Sequence, residues 1–174
     1  MAIIRLTTWV NAPMERCFLL ATNAEFYSNH GPAPGTAYES LQIGDTLQWR
    51  AWGWGIPLSV TSRIDQLRPF NYFRETILKG RFRHFQHEHY FAPMDDGTRM
   101  RDEIHYSLPR GPLGGAIDKL LIRRCIHKML HERHLRLKRA AESGEWRTYL
   151  HPGQQDKAAP LDRRSKVAKM QRFA

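Results

Sequence analysis

Hydrophobic and polar residues alternate with a period of two along most of the chain up to residue 108, and from residue 113 the spacing lengthens to three and four. That switch predicts an antiparallel sheet followed by one long helix. Residues 3–10 (IIRLTTWV) alternate as a strand. Asn11-Ala-Pro then opens a short helix over 13–22, with Asn11 at the N-cap, Pro13 in the first turn and Glu15 where the helix macrodipole favours an anion. Residues 23–29 read as a second helical turn, and 30–35, with two prolines and two glycines, as a loop. Extended segments are expected at 38–43, 46–54, 57–67 and 72–78, punctuated by Gly44-Asp45, the stretch 53–57 and Pro69. Their close spacing implies antiparallel pairing, because parallel pairs need long crossovers.

Residues 80–115 read as a β-hairpin whose two faces differ in chemistry. Alternation sends Phe85, His87, His89 and Phe91 to one side and His84, Gln86, Glu88 and Tyr90 to the other. Asp96-Gly97 is a strong signal for a two-residue turn. With Asp95 paired to Thr98 across it, His89 lies opposite Ile104, His87 opposite Tyr106, Phe85 opposite Leu108 and Asp102 opposite Phe91. Met100, Ile104, Tyr106 and Leu108 then share the inner face with the two phenylalanines, while Arg99, Arg101, Glu103 and His105 join the polar side. Both strands agree on which face is inside. His87, His89, Asp102 and Tyr106 therefore form a small polar patch on an otherwise apolar surface.

Ser107-Leu-Pro-Arg-Gly-Pro breaks the last strand. Beyond it Leu113, Ile117, Leu120, Leu121, Cys125, Met129 and Leu130 recur at helical spacing, with Arg123, Arg124, His127, Lys128, His131, Arg136 and Lys138 between them. This predicts an amphipathic helix covering one face of the sheet and ending near Ser143-Gly144. Residues 1–143 are expected to form one domain and 144–174 a basic tail, disordered or partly docked through Trp146, Tyr149, Leu150 or Phe173.

Charge and composition narrow the function classes. The formal net charge is +10, but residues 1–112 hold 12 Lys/Arg against 11 Asp/Glu, so the basicity is C-terminal. The helix (113–142) carries 8 against 3 and residues 144–174 carry 7 against 3. A solvated helix face and tail are the expected reading, with peripheral contact to an anionic membrane as an alternative. Nucleic acid is not an expected partner, because the tail lacks the aromatic interleaving that stacks bases. The hydrophobic content of 41% suits one domain with a real core. No apolar run approaches the ~20 residues needed to cross a bilayer. The first residues resemble neither a secretory signal nor a transit peptide, and a cytoplasmic location is expected. The two cysteines, Cys17 and Cys125, suggest no disulfide framework and no cysteine-based zinc site.

The polar patch admits three chemistries. A His-x-His pair places two imidazoles on one side of a strand, and Asp102 would supply a third metal ligand, whereas His105 faces the other way. A metal is nevertheless not expected, because a His–carboxylate pair more often provides mutual hydrogen bonding. As an acid–base site, His87 or His89 steered by Asp102 would shuttle a proton, and Tyr106 would donate a hydrogen bond to a ligand carbonyl or enolate. Glu75 is a further carboxylate whose facing is ambiguous, since Phe73 and Ile77 would accompany it inward while Tyr72 and Leu78 compete. As a purely structural feature, the patch would fix the hairpin and anchor the long helix through Arg133. Elsewhere Leu58, Val60 and Ile64 alternate against Ser59, Thr61, Arg63 and Asp65. Trp49 takes the opposite face from Trp52 and Trp54, so these three are not all core.

Helices after the first strand, a curved antiparallel sheet and a long C-terminal helix form an element order that resembles the START-like, or SRPBCC, domains. Val10-Asn-Ala-Pro with Glu15 and Phe18 resembles the start of these domains, and Gly44-Asp45 followed by Trp49 their second hairpin. The run Gly80-x-Phe82-x-x-Phe85-x-His87-x-His89-x-Phe91, with Gly97-Thr98, Asp102, Tyr106 and Pro109-x-Gly111-Pro112-Leu113-Gly114, is similar to a cyclase/dehydrase or ligand-binding SRPBCC branch. The match covers roughly residues 3–142, and the Cys/His set of Rieske-type hydroxylases has no counterpart. The resemblance implies an α+β helix-grip fold, with about seven antiparallel strands wrapped around the C-terminal helix and two short helices after the first strand. It further implies a cavity between sheet and helix that takes a small hydrophobic or amphipathic ligand, lipid, polyketide-like or aromatic, with no cofactor. Leu58, Val60 and Ile64 would line it from one strand. Phe85, His87, His89, Phe91, Met100, Ile104, Tyr106 and Leu108 would line it from the hairpin, and Ile117 and Leu121 from the helix. The alternatives are a cyclase/dehydratase using His87, His89, Asp102 and Tyr106, and an interaction module whose basic helix and tail bind nucleic acid or anionic membrane.

Overall fold

The structure, a computed structural model, describes residues 1–28, 40–53, 56–108 and 117–159. The loop expected at 30–35, Trp54, the motif at 109–114 and residues 160–174 lie outside the described residues, as do the side chains of Trp49, Trp52, Leu58 and Ile117.

Among the described residues eleven elements follow one another: β1 (Ala2–Val10), α1 (Met14–Ala21), α2 (Ala24–Ser28), β2 (Thr46–Gly53), β3 (Ile56–Arg68), β4 (Tyr72–Gly80), β5 (His84–Met94), β6 (Gly97–Ser107), α3 (Ile117–Glu142), α4 (Trp146–Tyr149) and α5 (Pro152–Ala158). The strands form one antiparallel sheet in the order β1-β6-β5-β4-β3-β2. The helix α3 packs against both edge strands, β1 and β2, so the sheet grips it in an α+β helix-grip arrangement.

Among the described residues the sheet has six strands rather than seven. The strand expected at 38–43 is replaced, in its described part, by a connection. Ser40 makes an isolated bridge with Asn23, Leu41 N–H donates to the Thr22 carbonyl at 2.7 Å, and Gln42 N–H donates to the Asp45 carboxylate at 2.7 Å. Gly44 closes this turn at φ +101°, where a side chain would be strained. The first helix is flanked by Pro13, not capped by Asn11. The Asn11 N–H instead donates to Glu142 Oε1 at 2.7 Å, joining the end of β1 to the end of α3. An Asn cap does occur one helix later, where Phe26 N–H donates to Asn23 Oδ1 at 2.8 Å.

The hairpin register differs from expectation by two residues. Met94 pairs with Gly97, so the turn is Asp95-Asp96, and Asp95 adopts a positive φ of 22°. Phe85 therefore faces Tyr106, His87 faces Ile104, His89 faces Asp102 and Phe91 faces Met100. A two-residue shift preserves which face is inside, so the assignment of faces is unchanged while the partners are new. Gly97 is needed for a different reason than turn geometry. A Cβ there would sit 2.3 Å from the Val10 carbonyl oxygen, so the glycine lets β1 close onto the hairpin.

Past α3 the chain stays on the domain through residue 159. Trp146, Leu150 and Ala158 are buried. The Arg16 guanidinium lies 4.4 Å from the Trp146 ring centroid and donates to the Ala158 and Ala141 carbonyls at 2.9 and 2.8 Å.

The core is layered. One apolar layer joins Phe18 and Leu20 of α1 to Val10, Ile64, Phe73, Phe91, Met100, Leu137 and Ala141. A second joins Ile4, Val60, Phe85, Ile104, Tyr106, Ile126 and Leu130. Between them each of five strands and α3 contributes polar side chains: Thr8, Ser62, Glu75, His87, His89, Asp102 and His134. Along β5 the sequence Phe85, His87, His89, Phe91 crosses all three layers, and along α3 Ile126, Leu130, His134, Leu137 does the same.

Candidate functional site

Strand alternation explains why a polar belt lies inside. Residues two apart share a face, so placing Phe85 and Phe91 in the core carries His87 and His89 with them. On β3 the inward set is Val60, Ser62 and Ile64. On β4 a bulge decides the ambiguity at Glu75. Lys79 pairs with Thr61 and Ile77 with Ser62, leaving Leu78 as the extra residue, 48% exposed. Removing Leu78 from the pattern leaves Phe73, Glu75 and Ile77 in phase, and Glu75 is fully buried.

The belt is a continuous chain of polar contacts across the sheet. The Ser62 hydroxyl donates to Glu75 Oε2. Glu75 Oε1 lies 3.0 Å from His87 Nδ1 and 3.3 Å from His89 Nε2. The far nitrogens of the same two rings reach the next carboxylate, with His87 Nε2 3.0 Å from Asp102 Oδ2 and His89 Nδ1 3.1 Å from Asp102 Oδ1. His134 Nε2 is 3.2 Å from Asp102 Oδ2, in ion-contact rather than hydrogen-bond geometry, and its Nδ1 meets the Thr8 hydroxyl at 2.8 Å. Phe73 stacks on His89 with ring centroids 4.0 Å apart, covering the belt from the first apolar layer.

Burial alone would raise both carboxyls. At Glu75 the hydrogen bonds from His87 and His89 outweigh it, and at Asp102 the three neighbouring imidazoles of His89, His134 and His87 do so, holding both well below the usual carboxylate range. At His87 burial opposes the charge, but the bonds to Asp102 and Glu75 win and the group is raised. At His89 burial, with the charges of His87 and Arg133, prevails and the group is lowered. One imidazole is thus favoured as the proton carrier beside one favoured neutral, between two ionised carboxylates.

Of the residues singled out from sequence, His87, His89 and Asp102 meet in the belt. Tyr106 does not face His87. It pairs with Phe85 and packs edge-on to Phe82 at 5.7 Å, within the second apolar layer. Val60, Phe85 and Ile104 share that layer, while Ile64, Phe91 and Met100 belong to the first. Leu108 and Leu121 are half-buried. Sequence reading missed Ser62 and His134. Both carried a signal: Ser62 alternates in phase with Val60 and Ile64, and His134 stands four residues after Leu130 and three before Leu137. From α3, His134 contacts the belt at Asp102, and the charge of Arg133, the anchor expected from sequence, acts on His89.

The outer face of the same hairpin holds a second cluster. Glu88, Glu103 and His105 bring their ligand-type atoms within 4.8 Å of one another. Its charges are taken up by the Arg5 guanidinium on Glu103 and by Arg101, while Tyr72 donates to Glu88 at 2.9 Å. On α3 the basic residues Arg123, Arg124, Lys128 and Arg139 are exposed. Among the described residues no helix is long and apolar enough to cross a membrane.

The family model described as "Polyketide cyclase / dehydrase and lipid transport" matches residues 10–132. No curated protein matches the sequence. Among solved structures, TTHA0849 from Thermus thermophilus superimposes with a TM-score of 0.62 at 20% identity, covering 80% of this chain and 99% of that one. A START superfamily protein from Mycobacterium smegmatis gives 0.59 at 13% identity, over 80% of this chain and 97% of that one. The di-domain ARO/CYC BexL from the BE-7585A biosynthetic pathway gives 0.62 at 14% identity, over 82% of this chain and 50% of that one. At these identities the likeness is one of fold.

Proposed function

The chain belongs to the polyketide cyclase/dehydrase and lipid transport family, and from that premise we propose that it binds one small hydrophobic or amphipathic molecule between the concave sheet face and α3. The observation that carries this reading is the layering of the concave face. A polar belt flanked by two apolar layers suits a molecule with an apolar body and one polar group, of lipid, polyketide-like or aromatic chemistry. Native mass spectrometry of protein purified from its own host tests it. The expected result is one co-purifying apolar compound per chain, released by organic extraction. Absence of any bound compound, together with no saturable binding of an environment-sensitive hydrophobic dye to the extracted, folded protein, would overturn it.

One observation favours a second reading, a cyclase/dehydratase. His87 holds a carboxylate on each ring nitrogen, an arrangement suited to carrying a proton to and from a bound carbonyl compound. Turnover of the co-purified compound, lost in His87→Phe while binding persists, would establish catalysis. Unchanged turnover in that variant would remove His87 from the chemistry.

A further inference from the structure

We propose that Glu75, His87 and His89 form a site for one divalent first-row transition ion of the zinc or iron(II) class, with Asp102 as the carboxylate that orients both imidazoles. This goes beyond the ligand-binding reading and does not depend on it.

Three ligand-type atoms converge. Glu75 Oε1 is 3.0 Å from His87 Nδ1 and 3.3 Å from His89 Nε2, and all three lie within 4.8 Å of one another. Two ligands bound at about 2.1 Å stand about 3.0 Å apart at a right angle and about 3.4 Å apart at the tetrahedral angle. The two separations from Glu75 Oε1 match those edges, and the two imidazole nitrogens lie within 4.8 Å of each other. Two imidazoles and one carboxylate are also a donor set that zinc and iron(II) favour.

The atoms behind the ligands have the arrangement that metal-binding histidines use. Each ring turns its second nitrogen to Asp102, at 3.0 Å for His87 and 3.1 Å for His89, with a separate carboxylate oxygen for each. A proton on those nitrogens, donated to Asp102, leaves a lone pair on each nitrogen that faces Glu75. Asp102 is itself held by His134, and Glu75 Oε2 by the Ser62 hydroxyl, which directs Oε1 at the two rings. Without an ion, hydrogen bonds at all four ring-to-carboxylate contacts would require a proton on every ring nitrogen. That would put two imidazolium rings 3.7 Å apart between centroids in a buried site. A divalent ion replaces the two protons on the Glu75 side at unchanged total charge. The outer-face cluster of Glu88, Glu103 and His105 also converges, but Arg5 and Arg101 already engage Glu103 and the Tyr72 hydroxyl already donates to Glu88.

The test uses the full chain, extracted of organic ligand, stripped with a chelator and shown to be folded by circular dichroism. Zinc is titrated against a chromophoric competitor, and cobalt(II) serves as the spectroscopic probe. One equivalent per chain is expected, with ligand-field absorption in the cobalt form and imidazole scattering in the zinc X-ray absorption spectrum. Asp102→Asn should weaken binding by about 10–100-fold at the same stoichiometry. Glu75→Gln should weaken it further, and His105→Gln should leave it unchanged. The proposal is overturned by folded wild-type protein that takes up no stoichiometric zinc, by a zinc spectrum without imidazole scattering, or by uptake that survives Glu75→Gln and disappears in His105→Gln. The wild-type measurements decide the matter even if the belt variants do not fold. Ion uptake without any apolar ligand, or the reverse, separates this proposal from the ligand-binding reading.

Discussion

The two faces of the β5–β6 hairpin carry nearly the same residue types and treat them in opposite ways. Inside, two histidines face Asp102 and Glu75, and each of these four side chains is nearly or wholly removed from water. Outside, Glu88 and His105 are half-buried and Glu103 lies beneath Arg5 on the same two strands, and Arg5, Arg101 and Tyr72 answer their charge. The outer cluster has water and flexible guanidiniums as alternative partners. The inner cluster's carboxylates have imidazoles held in place by the sheet. Identical chemistry therefore has different stakes on the two sides of one strand, and mutation should expose the difference.

The largest effect is expected from replacing both imidazoles. His87→Phe/His89→Phe strands two buried carboxylates and should cost at least about 4 kcal/mol, a fall in Tm on the order of 10 °C. An unaltered Tm would mean that the belt holds nothing together. Asp102→Ala should cost about 3 kcal/mol in guanidinium unfolding, since it leaves three imidazoles without their common carboxylate. A loss under 1 kcal/mol there would erase the contrast with the outer face. His134→Leu removes only the tie to Thr8 and Asp102 and should cost about 1–2 kcal/mol, with faster hydrogen exchange expected in α3. Equal protection in the variant would show that α3 is held by its apolar contacts alone.

The smallest effect is expected at Glu103. Burial raises its carboxyl, but the Arg5 hydrogen bond and the Arg101 charge outweigh it, so the group is lowered overall. A lowered folded value means that its contribution is present above the unfolded value of ~4.3 and fades as pH falls through the folded one. Glu103→Gln should change stability at pH 7 by no more than about 1 kcal/mol. It should also flatten the acid limb of the stability curve, with the difference shrinking in 1 M salt. A cost comparable to that of Asp102→Ala would overturn the comparison.

Which face each hairpin residue takes was legible in the alternation alone: His87, His89 and Asp102 inside, Glu88 and His105 outside. The pairing partners were not legible, because Asp96-Gly97 is a good turn pair and nothing in the sequence reveals that Val10 needs Gly97 bare. Glu75 was ambiguous for an equally local reason, since Leu78 enters the alternation as an apolar residue but occupies a bulge. His134 was hidden by its own polarity in a helix dense with Arg, Lys and His, although its spacing from Leu130 and Leu137 places it on the buried stripe. The polar members of an inward stripe are hard to recognise because periodicity is measured with apolar residues.

The two-residue error in register shows what information the belt supplies. Alternation distinguishes odd slips from even ones, and an even slip leaves every phenylalanine inside. Displaced by two, Asp102 would face Phe91 and His89 would face Ile104, the carboxylate would lose its imidazole partners, and buried charge would be left against apolar neighbours. Only the native alignment sets His89 against Asp102. The row of polar groups across the core thus works as an alignment key for the sheet, telling apart pairings between which the hydrophobic pattern cannot choose.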